Sequence, residues 1–376
     1  MIKSVPYVVQ PEQIRPGVAN YYATAIADGF DFGSILIKTR EGRPIKVENN
    51  PDAPVLGGAN ARVHASVLSL YDTQRLQGPK GNGADISWED LHLQVGAKLN
   101  ALVATNKEVV LLTQTFASPT TAKLIADFTA KYPNVKHVSF DTVAYADAVD
   151  AFQEAYGVRA LADYDFSKAE AIVSVGADFL GDWQGGGFDS GYSKTRVPSK
   201  DHGKAKMSKH FQFEANMTLS GSAADHRVPA TPSAQKNILA HLYGAITGTT
   251  VSGSLSQAHQ AKVDAAVAAL KVAGDKAVVV SGIQDKGAQA IVLSINNALG
   301  SVVMDVNSPR LIRQENGGEV KPVIDAVIAG TLGGLITVGI NPVYSLPEGE
   351  AFAEGMKKLD LSVAFSMKED ETSVAA

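Results

Sequence analysis

From about residue 90 onward, short apolar runs alternate with longer stretches whose apolar residues recur every three or four positions. The runs 109–113, 136–140, 171–175, 277–281, 302–304, 335–338 and 362–366 predict strands. Several are apolar at consecutive rather than alternate positions, the pattern of a strand buried on both faces of a parallel sheet. Between them the 3.6-residue period predicts helices over 88–103, 118–132, 145–156, 233–247, 256–272, 287–299, 321–330 and 351–358. Ser87 with Asp90 three residues on, and Ser118 before Pro119, are helix-start signals. A serine hydroxyl there accepts from a first-turn amide, and proline arrives with its φ already helical. Residues 209–214 alternate polar and apolar, predicting a strand inside the long polar stretch 185–232.

The first ninety residues have another pattern. Pro6, Pro11 and Pro16, with Tyr7, Tyr21 and Tyr22, predict an extended arm over 1–25 that lies on a partner or on the body of the protein. Residues 34–38 and 44–48 flank a glycine-containing turn and predict a hairpin, followed by a helix over 63–71. The expected fold class is α/β, with two lobes of mostly parallel sheet joined by right-handed crossovers, behind a β-rich N-terminal segment. The predicted domains are 1–89 (arm, hairpin and connecting helix), 90–225 (first lobe, entering the loop 185–232) and 226–376 (second lobe). A loop as long as 185–232 inside a compact domain is expected to be functional or to form part of an interface.

The stretch 164–188 holds the candidate site. Its strand stops at Gly176, and in an open α/β sheet ligands bind outside the carboxyl ends of strands. Gly176, Gly181 and Gly185 to Gly187 permit positive φ and close backbone approach. Asp178 and Asp182 have the chemistry to hold a ribose hydroxyl or to cap a helix; capping is the favoured reading, because short acidic side chains satisfy orphan amides. Trp183 is expected to pack rather than bind.

Composition narrows the chemistry. The chain has 376 residues, 45% of them hydrophobic and 19% charged, enough for two or three compact lobes. A net charge of -5 gives no electrostatic footprint for nucleic acid. The absence of cysteine excludes a disulfide, a thiolate nucleophile, and cysteine-ligated zinc or iron–sulfur sites. The eight histidines make no HExxH or close ligand cluster, and no phosphate-binding P-loop or Gly-x-Ser-x-Gly elbow is present in its required context. No apolar run approaches the roughly 20 residues that span a bilayer.

The landmarks are informative in order. The hairpin Ile35-Leu-Ile-Lys-Thr-Arg-Glu-Gly-Arg-Pro-Ile-Lys-Val-Glu-Asn-Asn-Pro51 is followed by Leu68-Ser-Leu-Tyr-Asp-Thr-Gln-Arg-Leu-Gln-Gly-Pro79 and Ile86-Ser-Trp-Glu89. Then come Ile172-Val-Ser-Val-Gly-Ala-Asp178 and Gly339-Ile-Asn-Pro342. This series resembles the catalytic subunits of molybdopterin oxidoreductases. More closely, Val5-Pro-Tyr7, Pro16-Gly-Val-Ala-Asn-Tyr-Tyr-Ala23, Lys38 to Pro44, Gly176-Ala-Asp-Phe-Leu-Gly-Asp-Trp183 and Ser366-Met-Lys-Glu-Asp-Glu-Thr372 look like the N-terminal, molybdopterin-oxidoreductase-like half of the large iron–sulfur subunit of bacterial alternative complex III.

The resemblance implies membership of a membrane-bound quinol oxidoreductase on the periplasmic side of the bacterial inner membrane. Its implied partners are a ferredoxin-like Fe–S domain following this half, multihaem cytochrome c subunits and integral membrane quinol-binding subunits. Fe–S clusters and c-type haems are expected in those partners. The chain is expected to be truncated before the ferredoxin-like half, and a lipoprotein-type leader is implied ahead of it. Catalytic relatives carry a cluster-ligating cysteine near the position of residues 58–61, and a Cys or selenocysteine on molybdenum; this chain has neither cysteine. The expectation is a cofactor-free, non-catalytic scaffold with no catalytic or metal residues, in which Gly176, Asp178, Gly181 and Asp182 line a vestigial crevice. The alternative is an active oxidoreductase that binds a pterin or nucleotide in the 176–187 crevice with oxygen ligands to the metal. A third reading is an independent α/β binding protein.

Overall fold

The computed structural model describes residues 8–9, 11–29, 31–53, 58–197 and 207–376. Strands β1 (Ala19–Asp28), β2 (Asp31–Arg40) and β3 (Arg43–Asn49) form an antiparallel sheet in that order. Helix α1 (Ala61–Ser69) covers it, burying Val63 against Ile35 and Val47. A short hairpin of β4 (Lys80–Gly81) and β5 (Ala84–Asp85) leads into α2 (Trp88–Ala104), where the Ser87 hydroxyl accepts from the Asp90 amide as the sequence predicts.

Two parallel sheets follow, and their strands are interleaved along the chain. Sheet I has the order β11–β10–β9–β12, built from β9 (Ala171–Val175), β10 (Lys209–Glu214), β11 (His226–Pro229) and β12 (Ala277–Ser281). Sheet II has the order β15–β14–β6–β7, built from β6 (Val109–Thr113), β7 (Val135–Ser139), β14 (Gly334–Val338) and β15 (Leu361–Phe365). An antiparallel pair of β8 (Leu161–Tyr164) and β13 (Met304–Arg310) completes the strands. The fold is mixed α/β with mostly parallel sheets.

The helices are α3 (Pro119–Lys131), α4 (Ala146–Tyr156), α5 (Asp189–Arg196), α6 (Leu219–Ala223), α7 (Pro232–Thr247), α8 (Gln257–Ala273), α9 (Lys286–Leu299), α10 (Gly317–Ala329), α11 (Pro342–Ser345), α12 (Gly349–Met356) and α13 (Glu371–Ala375). Hydroxyl caps at Ser118, Thr231 and Ser256 start α3, α7 and α8, each accepting from the amide three residues on.

Three sequence expectations change. The division at 225/226 cuts across both sheets: β6 pairs with β14 instead of with β9, and β12 pairs with β9. Residues 19–25 of the expected arm lie in β1, bonded to β2 from Ala19↔Arg40 to Asp28↔Asp31; residues 1–7 and 10 fall outside the described residues. The stretch 185–232 is no open loop, since it contains α5, β10, α6 and β11, with 198–206 outside the described residues.

Strand β9 is the wall between two cores. Ile172 faces the cluster of Tyr164, Phe166, Phe179, Trp183 and Phe188, while Val173 and Val175 face Phe211, Phe213, Ile238 and Leu242. Each of its residues is buried, which is why the run carries no charge. Past the strand ends the backbones stay in contact. The Gly282 amide donates to the Val175 carbonyl at 3.0 Å, and a Cβ on Gly282 would stand 2.1 Å from the Gly176 carbonyl oxygen.

Two stability predictions come from this packing. Gly282→Ala should destabilise the chain by about 1–3 kcal/mol, whereas Gly58→Ala, where a Cβ meets nothing within 4 Å, should change it by no more than about 0.5 kcal/mol. Phe166→Ala, at a fully buried ring stacked on Phe179 with centroids 4.5 Å apart, should cost about 3–5 kcal/mol. Urea denaturation of the three variants checks both.

Candidate functional site

The topology supplies two switch points, where successive crossovers leave in opposite directions and a crevice opens at the strand ends. In sheet I this lies between β9 and β12; the sequence points to the carboxyl end of β9 but assigns β12 to the other lobe. The crevice there is closed by the Gly176–Gly282 approach and filled by aromatic side chains. Trp183 packs 5.5 Å from both Tyr164 and Phe188, and its Nε1 donates to the Ser281 carbonyl at 3.3 Å. The expectation that Trp183 packs describes its position well.

The glycines of this turn divide by role. Gly176, Gly185, Gly186 and Gly187 have positive φ, from 71° to 89°. Gly181 does not; it is needed because a Cβ would meet the Asp178 carboxylate at 2.4 Å. Asp178 caps as expected, but across the chain: its Oδ1 accepts from the Ser220 amide at 2.9 Å and hydroxyl at 2.8 Å. Asp182 makes no cap bond. It accepts instead from Arg62 Nη1 at 2.7 Å, while Arg62 also holds Asp31 through Nε and Nη2 at 2.7 and 2.9 Å. Asp31 raises the proton affinity of that guanidinium further, so the ion triad ties the N-terminal sheet to the glycine turn.

In sheet II the switch point lies between β6 and β14, which sequence reasoning missed because it assigned those strands to different lobes. Gln114 occupies it, so close that a Cβ on Gly339 or Gly29 would meet its amide at 2.6 or 2.4 Å. Beside it is a cavity of about 210 Å³ lined by Asp28, Asp31, Arg62, Ser66 and Gln114. That is smaller than the roughly 300–1,000 Å³ of ordinary ligand pockets. Among the described residues, no group of three or more histidines and carboxylates is arranged to hold a metal, and no helix is long and apolar enough to cross a membrane.

Two further polar groups escaped the sequence reading. On β10, His210, Gln212 and Glu214 point to one buried face while Phe211 and Phe213 fill the other. His210 contacts Tyr192 Oη and Gln212 Oε1 at 3.1 and 3.2 Å, and burial pushes it down to about 4, so it is neutral at ordinary pH. Period-two alternation signalled this row, although both of its faces are buried. At the carboxyl ends of β6 and β7, Thr115, Asp141, Tyr145, Arg313 and Glu315 form a second buried group. Asp141 accepts from the Thr115 amide and hydroxyl at 2.8 and 2.7 Å, and Arg313 Nη1 stands 3.6 Å from it. These five residues are scattered over two hundred positions, so only the fold assembles them.

No protein-family model matches the chain. It is 23% identical to the menaquinone reductase, molybdopterin-binding-like subunit of Nitratidesulfovibrio vulgaris, over 95% of this chain and 57% of that protein. It is 26% identical to the arsenate respiratory reductase molybdopterin-containing subunit of a Shewanella species, over 60% of this chain and 27% of that protein. The chain thus spans at most little more than half the length of these curated relatives. Acetylene hydratase from Pelobacter acetylenicus superposes with a TM-score of 0.64 over 94% of this chain and 60% of that one, at 9% identity. The chain has a molybdopterin-oxidoreductase-like fold, and its homologues are oxidoreductase subunits of the molybdopterin-binding kind.

Proposed function

We propose that this chain is a cofactor-free, non-catalytic scaffold domain of a membrane-bound respiratory quinol oxidoreductase of the alternative complex III type. It docks electron-carrying subunits: a ferredoxin-like Fe–S domain, multihaem cytochromes c and membrane-embedded quinol-binding subunits, on the periplasmic side of the bacterial inner membrane. The observation that carries the reading is the sheet I switch point, whose residues do not fit a pterin. A dinucleotide-sized ligand needs an open crevice with backbone amides facing it. Here Trp183, Gln184 and Phe188 are buried in that place, and a Cβ at Gly185 would meet Ile312 at 2.9 Å. No thiolate is available for molybdenum or for a cluster. A relative whose name marks it as molybdopterin-binding-like, and as a subunit of a menaquinone reductase, supports the same reading.

Several polar groups at the crevice are committed to one another, although Gln184 Oε1 is buried there without a hydrogen-bond partner among the described residues. Asp178 bonds Ser220, Asp182 bonds Arg62, and Arg310 donates to the Gly186 carbonyl at 3.2 Å while its guanidinium stacks 4.7 Å from Phe188. A ligand entering would have to break these bonds and displace buried aromatic surface, which costs several kcal/mol before any contact is made. A scaffold has no such requirement, because its function is carried by surfaces outside the crevice.

Protein produced in a host that makes molybdopterin should contain no stoichiometric molybdenum, tungsten, iron or pterin by elemental analysis and mass spectrometry. In native membranes it should copurify with haem- and Fe–S-containing subunits. Stoichiometric pterin or metal would overturn the scaffold reading in favour of an oxygen-ligated active site at 176–187.

A further inference from the structure

The segment from Arg310 to Asn316 carries the chain from β13 beside sheet I into α10 of sheet II. It is bolted down by polar contacts to both. Arg310 reaches the Gly186 carbonyl, Gln314 donates its amide to Thr115 Oγ1 at 3.0 Å, and Arg313 Nη1 donates to the Val143 carbonyl at 3.3 Å. Arg159 Nη2 holds the Glu315 carbonyl at 2.7 Å. At the centre of this set is Glu315, whose side chain is buried together with those of Asp141 and Arg313.

The hydrogen bonds of Glu315 leave one atom over. Its Oε1 accepts from the Tyr145 amide, the first free amide at the start of α4. Its Oε2 is fully buried and has no donor. The group beside it is the Asp141 carboxyl, whose own oxygens already accept from Thr115 and face Arg313. Two ionised carboxyls side by side, with one guanidinium stacked on the Tyr145 ring at 4.7 Å, would leave a buried oxygen without a partner and a buried negative charge in excess. A proton on Oε2 removes both difficulties, because it makes that oxygen a donor aimed at Asp141.

We propose that Glu315 is a built-in proton-binding site: it is protonated in the folded chain, donates from Oε2 to Asp141, and on losing that proton releases the 311–316 segment that couples the two sheets. The other charged groups near it do not replace the proton. Arg313 faces Asp141, Arg159 bonds Asp150 at 2.7 Å as well as the Glu315 carbonyl, and the Lys136–Glu319 pair at 3.9 Å is half exposed. From the glycine turn, Arg62 and Asp182 pair with each other, while the Tyr145 hydroxyl accepts from the Gln184 amide at 3.2 Å. Burial, then the neighbouring Asp141, push Glu315 up from 4.5 to about 7. A carboxyl raised on folding binds more protons in the folded than in the unfolded chain between those two values, so its stabilising contribution falls as pH rises through that window. His137, on β7, is pushed below 6.5 by burial and acts with the opposite sign, so a fall cannot come from it.

The test is thermal and urea denaturation of the full chain from pH 5 to 8.5 at fixed ionic strength. The folding equilibrium constant should drop on the order of 10²-fold between pH 5 and 8. Glu315→Gln, which keeps an acceptor for Tyr145 and places an amide donor toward Asp141, should abolish most of that dependence. In parallel, hydrogen exchange at 311–316, corrected for the intrinsic pH dependence, should lose protection at pH 8 in the parent and not in E315Q. A flat stability profile in the parent, the same slope in E315Q, or unchanged protection at 311–316 would each overturn the proposal. Should E315Q fail to fold, carboxyl-carbon NMR titration of the parent decides: one glutamate with a midpoint near 7 upholds the proposal, and only ordinary midpoints sink it.

Discussion

Sheet II is completed only by strands that follow all of sheet I in the chain, and much of the structure depends on that constraint. Its strands β6 and β7 are made early in the chain, but their partners β14 and β15 come some two hundred residues later. Everything between, including all of sheet I, is in effect an insertion between neighbouring strands. Closing so long a loop costs conformational entropy that grows only slowly with length, so the arrangement is tolerable at equilibrium. It does require that the ends of the insertion be brought back close to where they left. The exit is α4 with β8, the return is β13 with the 310–316 segment, and β8 pairs with β13. That antiparallel pair is the neck of the insertion.

The neck explains where the polar groups are. Parallel strands can bury apolar residues on both faces, but the chain entering and leaving them carries unpaired backbone groups that must find partners inside the protein. Arg159, Gln314 and Thr115 supply several of these, and Asp141 and Glu315 sit among them. A carboxyl in this position serves as an acceptor for amides at the start of α4 and the end of β6. Burial raises the cost of its charge, and the pair resolves that cost with one proton rather than with a second cation.

The switch points of the two sheets are treated alike. Glutamine or tryptophan fills each one, and glycines let the neighbouring backbone close over it: Gly339 and Gly29 around Gln114, Gly282 and Gly176 beside Trp183. The glycine-rich turn that reads in sequence as a ligand cradle therefore serves packing. A glycine at positive φ and a glycine in close approach are indistinguishable in the sequence: Gly187 has a φ of 89° and open space around it, whereas Gly181 has no positive φ and lies against Asp178. For the same reason Asp178 and Asp182, four residues apart, have unrelated partners, a serine on α6 and an arginine on α1.

Local elements were legible in the chain alone. Strands at 109–113, 171–175, 209–214 and 277–281 coincide with the observed ones, and the caps at Ser87 and Ser118 form as predicted. These depend on residues within a few positions of one another: an uncharged apolar run for a doubly buried strand, a hydroxyl three residues before an amide for a helix start. The landmark order also indicated the molybdopterin-oxidoreductase-like fold. Strand pairing was settled only by the complete fold, and with it the lobe boundaries, the role of 185–232 and the assembly of Asp141 with Glu315. All parallel strands present the same apolar surface and the same backbone bonds, so nothing in β6 specifies β14 over β9. That choice is made by packing and chain closure over the whole molecule, and the buried carboxyl pair exists only as its result.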